Sequence, residues 1–329
     1  MKIAVVGATG LVGGVMLKVL EERGFGKEDI IPAASPKSIG KEIVFANRKL
    51  TVRSVEDAIA QHPDYAIFSA GANASRQYAP LFAAVGTTVV DNSSAWRKDP
   101  IVPLVVPEIN FEAILPKHRI IANPNCSTIQ MVLAVSQLHK HYGIKRLVIS
   151  TYQSITGTGI KAIRQLEQEE QTGICNDKAY PYPIHRNLFP HGGDFQSDGY
   201  TTEEQKLVDE TRKILNDNSI AISATVARVP VVGGHSESVN IEFHKEFELQ
   251  EASRIIANTE GIVLYDNPEQ LQYPMPITAE GRDEVFVGRV RRDFSQPCTL
   301  NLWVVADNLR KGAATNAVQI LQRLVVSKR

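Results

Sequence analysis

The sequence has no surplus of charge of either sign. Its 329 residues carry 36 Lys and Arg against 36 Asp and Glu. That balance leaves no electrostatic footprint for nucleic acid or an anionic membrane as the main partner. Long apolar runs are missing too, so no segment reads as a bilayer span. The opening MKIAVVG reads as a strand rather than as the apolar region of a secretion signal. Cysteine is scarce: Cys126, Cys175 and Cys298 are too few and too scattered for a disulfide framework or a zinc site, and no metal is expected. Internal repeats and low-complexity tracts are also lacking. These absences point to a cytoplasmic globular protein with free thiols. Its length exceeds what one core usually organises, so two domains are expected.

What is present begins with KIAVVGATGLVGGVMLKVLEERGF, which reads as strand, glycine loop and helix. Leu11, Val12, Val15, Met16, Val19 and Leu20 follow helical spacing. Gly7, Gly10 and Gly13 suit a tight turn, close approach of backbone to a pyrophosphate, and close packing of helix on strand. The helix N-terminus offers N–H groups and positive dipole to phosphates. Thr9, Leu11 and Val12 fall inside the same loop and are assigned to the cofactor with the glycines. The spacing is G-x-x-G-x-x-G, and its place at the first strand-to-helix junction makes it a dinucleotide fingerprint. After the second strand comes IIPAASPKSIGK, with Ser35, Lys37 and Ser38 and no acid before Glu42. Hydroxyls and a cation suit a ribose 2′-phosphate, so NADP is the expected cofactor. Further strands at YAIFSA (65–70), TTVVD (87–91) and RIIAN (119–123) alternate with helical spacers. That alternation argues for a mostly parallel, doubly wound sheet.

The pattern changes near Ser127. A helix over STIQMVLAVSQLHKHYG precedes KRLVISTYQS, SIAISATVARVP, HSESVNIEFH, DEVFVGRVRRD and CTLNLWVVAD, several of which alternate apolar and polar residues as half-buried antiparallel strands do. The stretch CNDKAYPYPIHRNLFPHGGDFQSDGY is too polar and too rich in Pro and Gly for regular structure. Loops of that length usually serve a site or an interface. RKGAATNAVQILQRLVVSK reads as a C-terminal helix returning to the first domain.

Cys126, in NPNCSTIQ, follows a strand end and begins a helix. A sulfur there feels the positive helix terminus, which favours a thiolate. Most free cysteines are packing residues, yet Asn123, Pro124, Asn125, Ser127 and Thr128 make a polar turn around this one. A thiolate needs a proton-transfer partner. Of eight histidines, His139 and His141 read as solvated helix-end groups, and His185 and His191 share the long loop. His235 follows the Gly-Gly turn of RVPVVGGHSES at the start of a strand. Local reading leaves both pairs of alternatives open: packing or nucleophile for Cys126, structural or catalytic for His235.

GATGLVG, NPNCSTIQ, QSITGTG, TEEQKLVDETRKIL, RVPVVGGHSESVNIEF, EVFVGRVRRD and WVVADNLRKGAATNAVQI occur in that order along the chain. Together they resemble the aspartate-semialdehyde dehydrogenase family. The resemblance implies an α/β fold: a Rossmann-like doubly wound domain from residues 1–126 plus 309–329, and an α+β catalytic and dimerisation domain from 127–308 with a mixed, largely antiparallel sheet. It implies reversible NADPH-dependent reductive dephosphorylation of L-aspartyl 4-phosphate to L-aspartate 4-semialdehyde, on the route to lysine, threonine, methionine and diaminopimelate. Cys126 would form a thioester, His235 would be its acid/base partner, and Gln153 would orient the acyl group. Arg228 would clamp the substrate carboxylate, with Glu203 at the amino end or on Arg228. Arg97 and Lys206 would bind phosphate and Asn125 would assist beside the nucleophile. Thr156, Gly157 and Asn308 would lie near the nicotinamide. The expected partners are the small substrate and inorganic phosphate, in a homodimer, with no nucleic acid and no membrane.

Three departures from the family pattern bear on this. Thr156 stands where Ser is more usual, a minor change for backbone contacts. Ala72 stands where a second Gly is common, narrowing the cofactor pocket. Lys37 stands where many relatives have Arg, which loses a bidentate grip on the 2′-phosphate and leaves NAD as a weaker second cofactor. The related N-acetyl-γ-glutamyl-phosphate reductases share the architecture and the thioester chemistry. A cysteine-dependent acyl hydrolase would use the Cys126–His235 pair without the glycine loop, and a dinucleotide sensor would keep the loop without the cysteine.

Overall fold

The computed structural model describes residues 1–327; the last two positions of the expected first domain lie outside them. The chain divides into two compact units, 1–125 with 313–329 and 126–312.

In the first unit, β1 (Lys2–Val6), β2 (Asp29–Ala33), β5 (Tyr65–Phe68), β6 (Thr88–Asp91) and β7 (Ile120–Ala122) form one sheet in the order β2-β1-β5-β6-β7. Every pairing is parallel. β3 (Glu42–Phe45) and β4 (Arg48–Thr51) make a separate hairpin. The central strands are apolar runs rather than alternating ones because helices cover both faces. On β1, Ile3 and Val5 join a core with α1 (Leu11–Leu20) and α10 (Thr315–Ser327). Ala4 and Val6 join the opposite core with α2 (Val55–Ala60) and α3 (Ala72–Ala84). A short helix α4 (Pro107–Asn110) precedes β7. Strand order reverses at β1, so the loops after β1 and β5 flank the crevice where doubly wound sheets bind ligands.

The second unit holds a six-stranded sheet of order β11-β12-β13-β10-β8-β9. Its strands are β8 (Ile144–Ser154), β9 (Ala221–Val229), β10 (His235–Phe243), β11 (Ile262–Leu264), β12 (Val285–Arg292) and β13 (Thr299–Ala306). β10 pairs antiparallel with both β8 and β13, as does β12 with β13. β9 and β11 join in parallel, making the sheet mixed. The parallel β8–β9 pair needs a crossover; the intervening chain supplies α6 (Ile160–Thr172), the long loop and α7 (Thr202–Leu215). α5 (Cys126–Tyr142) packs on this sheet beside α7 and α8 (Leu249–Ala257), with α9 (Pro276–Ala279) a short turn near β13. The loop has little regular structure of its own, yet α6 holds it. Gln165 Oε1 accepts N–H bonds from Ala179 and Tyr180, and Glu169 Oε2 accepts them from Ile184 and His185. No helix among the described residues is long and apolar enough to cross a membrane.

Candidate active site

In the first unit, Gly7 has φ +90°, and a β-carbon there would collide with the Ser69 carbonyl. A β-carbon on Gly13 would collide with the Gly7 carbonyl, so these two glycines are fixed by the packing of loop, strand and helix. Gly10 is the α1 N-cap and has no side chain to cap the helix. The first turn of α1, which begins with Leu11 and Val12, therefore has no side-chain cap, the arrangement that phosphates use. The exposed Thr9 donates to Ser38 Oγ at 3.2 Å, bringing the glycine loop against the Ser35–Ser38 turn. Ser35 stands at the N-cap position of that 3₁₀ turn without a side-chain capping bond, and Lys37 stands exposed upon it. Those residues fit the loop and helix start of a dinucleotide-binding site. Arg97 is buried, its Nη2 donating 2.8 Å to the Asn92 carbonyl in the loop after β6. Asn125, also buried, ends the unit's first segment.

In the second unit, Cys126 is the first residue of α5 and is partly exposed. His235 is the first residue of β10 and is fully buried. The Gly233–Gly234 turn delivers it there: Gly233 has φ +97°, and a β-carbon on Gly234 would lie 2.9 Å from the Ala306 carbonyl oxygen. Cys126 Sγ lies 3.2 Å from His235 Nε2. On the other side of the ring, the Ser154 backbone N–H donates to Nδ1 at 3.0 Å. Nδ1 is thus an acceptor, and the proton of the neutral imidazole resides on Nε2, facing the sulfur. Burial and the Arg228 guanidinium push the His235 pKa down to about 3, with Glu203 opposing them.

Arg228 donates from Nη1 to the Ser154 carbonyl at 2.7 Å. Its own backbone exchanges two hydrogen bonds with Phe189 of the long loop, at 2.8 and 3.0 Å. A β-carbon on Gly157 would lie 3.0 Å from Arg228 Nη1 and 3.4 Å from His235 Cε1, so only glycine fits between them without displacement. Glu203 pairs with Lys206 one turn along α7, at 2.7 Å. A capping box of Thr201 and Glu204 starts that helix, and Glu204 Oε1 also accepts from the Val226 N–H, fastening α7 to β9. Gln153 is fully buried, donating from Nε2 to Ser127 Oγ at 2.8 Å. Thr156 Oγ1 donates to Asn308 Oδ1 at 3.0 Å, and both residues are buried.

The second unit therefore gathers Cys126, His235, Gln153, Arg228, Glu203, Lys206 and Gly157 into one polar cluster. Sequence reasoning overlooked Ser154, which sets the tautomer, and Ser127 and Gln130, which support the cluster from α5. It also overlooked Glu204, although T-x-x-E ahead of an apolar pattern is a legible capping signal. His139 is half-buried rather than solvated: its Nδ1 accepts the Ile144 N–H at 3.1 Å, and its Nε2 lies 3.7 Å from Asp217.

Comparison with known proteins identifies the family. The semialdehyde dehydrogenase NAD binding domain matches residues 2–116, and the semialdehyde dehydrogenase dimerisation domain matches residues 135–311. An aspartate-semialdehyde dehydrogenase of Aquifex aeolicus (strain VF5) is 50% identical over 98% of both chains. One from Legionella pneumophila is 46% identical, over 98% of this chain and 95% of that protein. The crystal structure of aspartate semialdehyde dehydrogenase II complexed with ASA, from Vibrio cholerae, superposes with a TM-score of 0.94 at 42% identity over 98% of both chains. On fold, motifs and whole-length similarity, this chain belongs to the aspartate-semialdehyde dehydrogenase family.

Proposed function

We propose that the chain interconverts L-aspartyl 4-phosphate and L-aspartate 4-semialdehyde with NADP(H), through a thioester on Cys126. The observation that carries this reading is the sulfur at the start of α5, 3.2 Å from a buried imidazole whose Nε2 bears the proton. In the aldehyde-oxidising direction, the helix terminus and the Nε2–H hold Cys126 as a thiolate, its proton having passed to solvent. The thiolate attacks the aldehyde carbon; a C–S bond forms and the carbonyl π pair moves onto oxygen. The His235 Nε2–H donates to that oxyanion, a donor preset by its buried ring. The hydride on the former carbonyl carbon would pass to the acceptor that a bound NADP supplies. The oxyanion then collapses to a thioester carbonyl on Cys126. A phosphate oxygen attacks this carbonyl, the tetrahedral oxyanion again rests on His235, and the C–S bond breaks. The acyl phosphate leaves, and the thiolate returns to the same Nε2–H.

Arg228 suits the α-carboxylate as a fork of two parallel donors. Glu203 meets the ammonium end, while Lys206 and Arg97 neutralise phosphate, with Asn125 beside the nucleophile. Gln153 orients the acyl group from beneath, and Thr156, Gly157 and Asn308 form the nicotinamide end. Ser35, Lys37 and Ser38 favour NADP, and the single cation of Lys37 leaves NAD as a weaker second cofactor. A homodimer through the second unit is supported by the dimerisation-domain match and by Tyr152, exposed on β8 and packed at a tilt against Trp303 of β13, with ring centroids 5.5 Å apart. The reaction belongs to cytoplasmic synthesis of lysine, threonine, methionine and diaminopimelate.

The test is NADP reduction by purified protein with aspartate semialdehyde, with and without inorganic phosphate. The expected result is turnover only when both are present. Turnover of the N-acetylglutamyl semialdehyde alone, or a rate indifferent to phosphate, would overturn the proposal.

A further inference from the structure

In the first unit the neighbouring parallel strands β6 and β7 end side by side, and an asparagine follows each: Asn92 after Asp91, and Asn123 after Ala122. Asn123 has no exposed surface. Its backbone N–H donates to the Asp91 carbonyl at 2.8 Å. Its side-chain Nδ2 donates to Asn92 Oδ1 at 2.7 Å and to the Ala313 carbonyl at 3.2 Å. Its Oδ1 accepts from Asn316 Nδ2 at 2.7 Å. Asn316, equally buried, is the second residue of α10, and its Nδ2 also donates to the Val105 carbonyl at 2.9 Å.

Backbone carbonyls only accept, so each of these two amides has one orientation. Facing Val105, Asn316 must present its NH₂ group, whose other N–H then needs an oxygen on Asn123. Facing Ala313, Asn123 must present its own NH₂ group, whose other N–H needs an oxygen on Asn92. The bridge therefore runs one way, from α10 through Asn123 to Asn92. Beyond it stands Arg97, whose Nη2 donates to the Asn92 carbonyl at 2.8 Å. On the opposite flank α3 anchors the same loop. Ser75 Oγ donates to the Asp91 carboxyl and accepts from Trp96 Nε1, both at 2.8 Å. The asparagine bridge grips the side chain of the residue whose carbonyl holds the guanidinium.

We propose that Asn316 and Asn123 are positioning residues for the phosphate step: their amide bridge carries the seating of α10 to Asn92 and thereby sets Arg97 for the phosphate that discharges the thioester. This purpose rests on the phosphate role given to Arg97 above. Truncating Asn316 leaves the buried Asn123 Oδ1 and Val105 carbonyl without that donor, the kind of loss that is costly because no water replaces it. The displacement passes to Asn92 and Arg97. Attack of sulfur on the aldehyde, which needs no phosphate, keeps its rate.

The test compares N316A, R97A and the double variant with wild type in the full-length protein. N316A should raise KM for phosphate about 10-fold, while the phosphate-free burst of NADPH keeps its wild-type rate. In the R97A background the same change should add less than about 2-fold, since two residues acting through one contact are not additive. A second readout needs no turnover: labelling by phenylglyoxal, located by mass spectrometry. Arg97 should label several-fold faster in N316A, with Arg228 labelling as in wild type. Asn92→Ala, at a partly exposed position, cuts the same bridge and should give the same labelling change even if N316A fails to fold. A full further 10-fold loss in the R97A background, a slowed burst, or labelling unchanged at Arg97 or raised equally at Arg228 would overturn the proposal. Wild-type turnover indifferent to phosphate would defeat the phosphate reading instead, and the labelling would still show whether the bridge holds Arg97.

Discussion

In the proposed reaction His235 acts as a neutral ring, because the Ser154 N–H already occupies Nδ1 and leaves Nε2 to face the sulfur. Removing that donor with His235→Ala should lower kcat about 10²–10³-fold, the usual loss for one oxyanion donor. The same residue leaves a mark on stability. The unfolded ring takes a proton near its ordinary value of 6.5, whereas the buried ring does not until about 3. Below pH 6.5 the unfolded state therefore binds more protons than the folded one, and wild-type stability is lost as pH falls toward 3. Denaturation midpoints of wild type and H235A, compared across that window, should shift in favour of the variant as pH drops. A constant difference would show that the ring is protonated in the folded protein. Cys126 and His235 were both legible in the sequence as candidates, through the helix start and the Gly-Gly turn, and the motif resemblance selected them. The bridge from Asn316 to Asn123 was not legible, since it joins residues 193 positions apart that only the return of α10 to β7 brings together.

At the scale of the element, α5 decides where the sulfur sits, and its neighbours leave little room for error. A β-carbon on Gly312 would lie 2.9 Å from Cys126 Cβ and 3.3 Å from its Cα. Gly312 is not in a left-handed conformation, so Gly312→Ala is a matter of contact rather than backbone strain. It should displace Cys126, slowing alkylation of the thiol by iodoacetamide and lowering kcat on the order of 10-fold or more. An unchanged alkylation rate would mean that the helix start yields freely. The strands and helices themselves were readable, since β1 and β5 are apolar runs and α5 follows helical spacing. The long loop was readable as irregular from its Pro and Gly content. Its ordering was not, because that depends on Gln165 and Glu169 of α6 offering buried acceptors to its backbone. Nor was the Phe189 bridge that seats Arg228, a contact between residues 39 positions apart.

On the scale of the whole molecule, the chain divides its chemistry between two units. The first folds a parallel sheet around a glycine loop with an uncapped helix start, and the second folds a mixed sheet around a cysteine and an imidazole. The doubly wound order followed from alternation of strands and helices. The parallel β8–β9 edge did not, since both strands show the same alternation that antiparallel neighbours would. The claim on which the account depends is the covalent one: that the acyl group passes through Cys126 before phosphate takes it. Mass spectrometry of protein quenched after mixing with aspartate semialdehyde and NADP, without phosphate, tests it directly. The account predicts one aspartyl group per chain on the Cys126 peptide, formed together with one equivalent of NADPH and discharged when phosphate is added. Steady NADPH production with no adduct on Cys126, or an adduct on another residue, would contradict it.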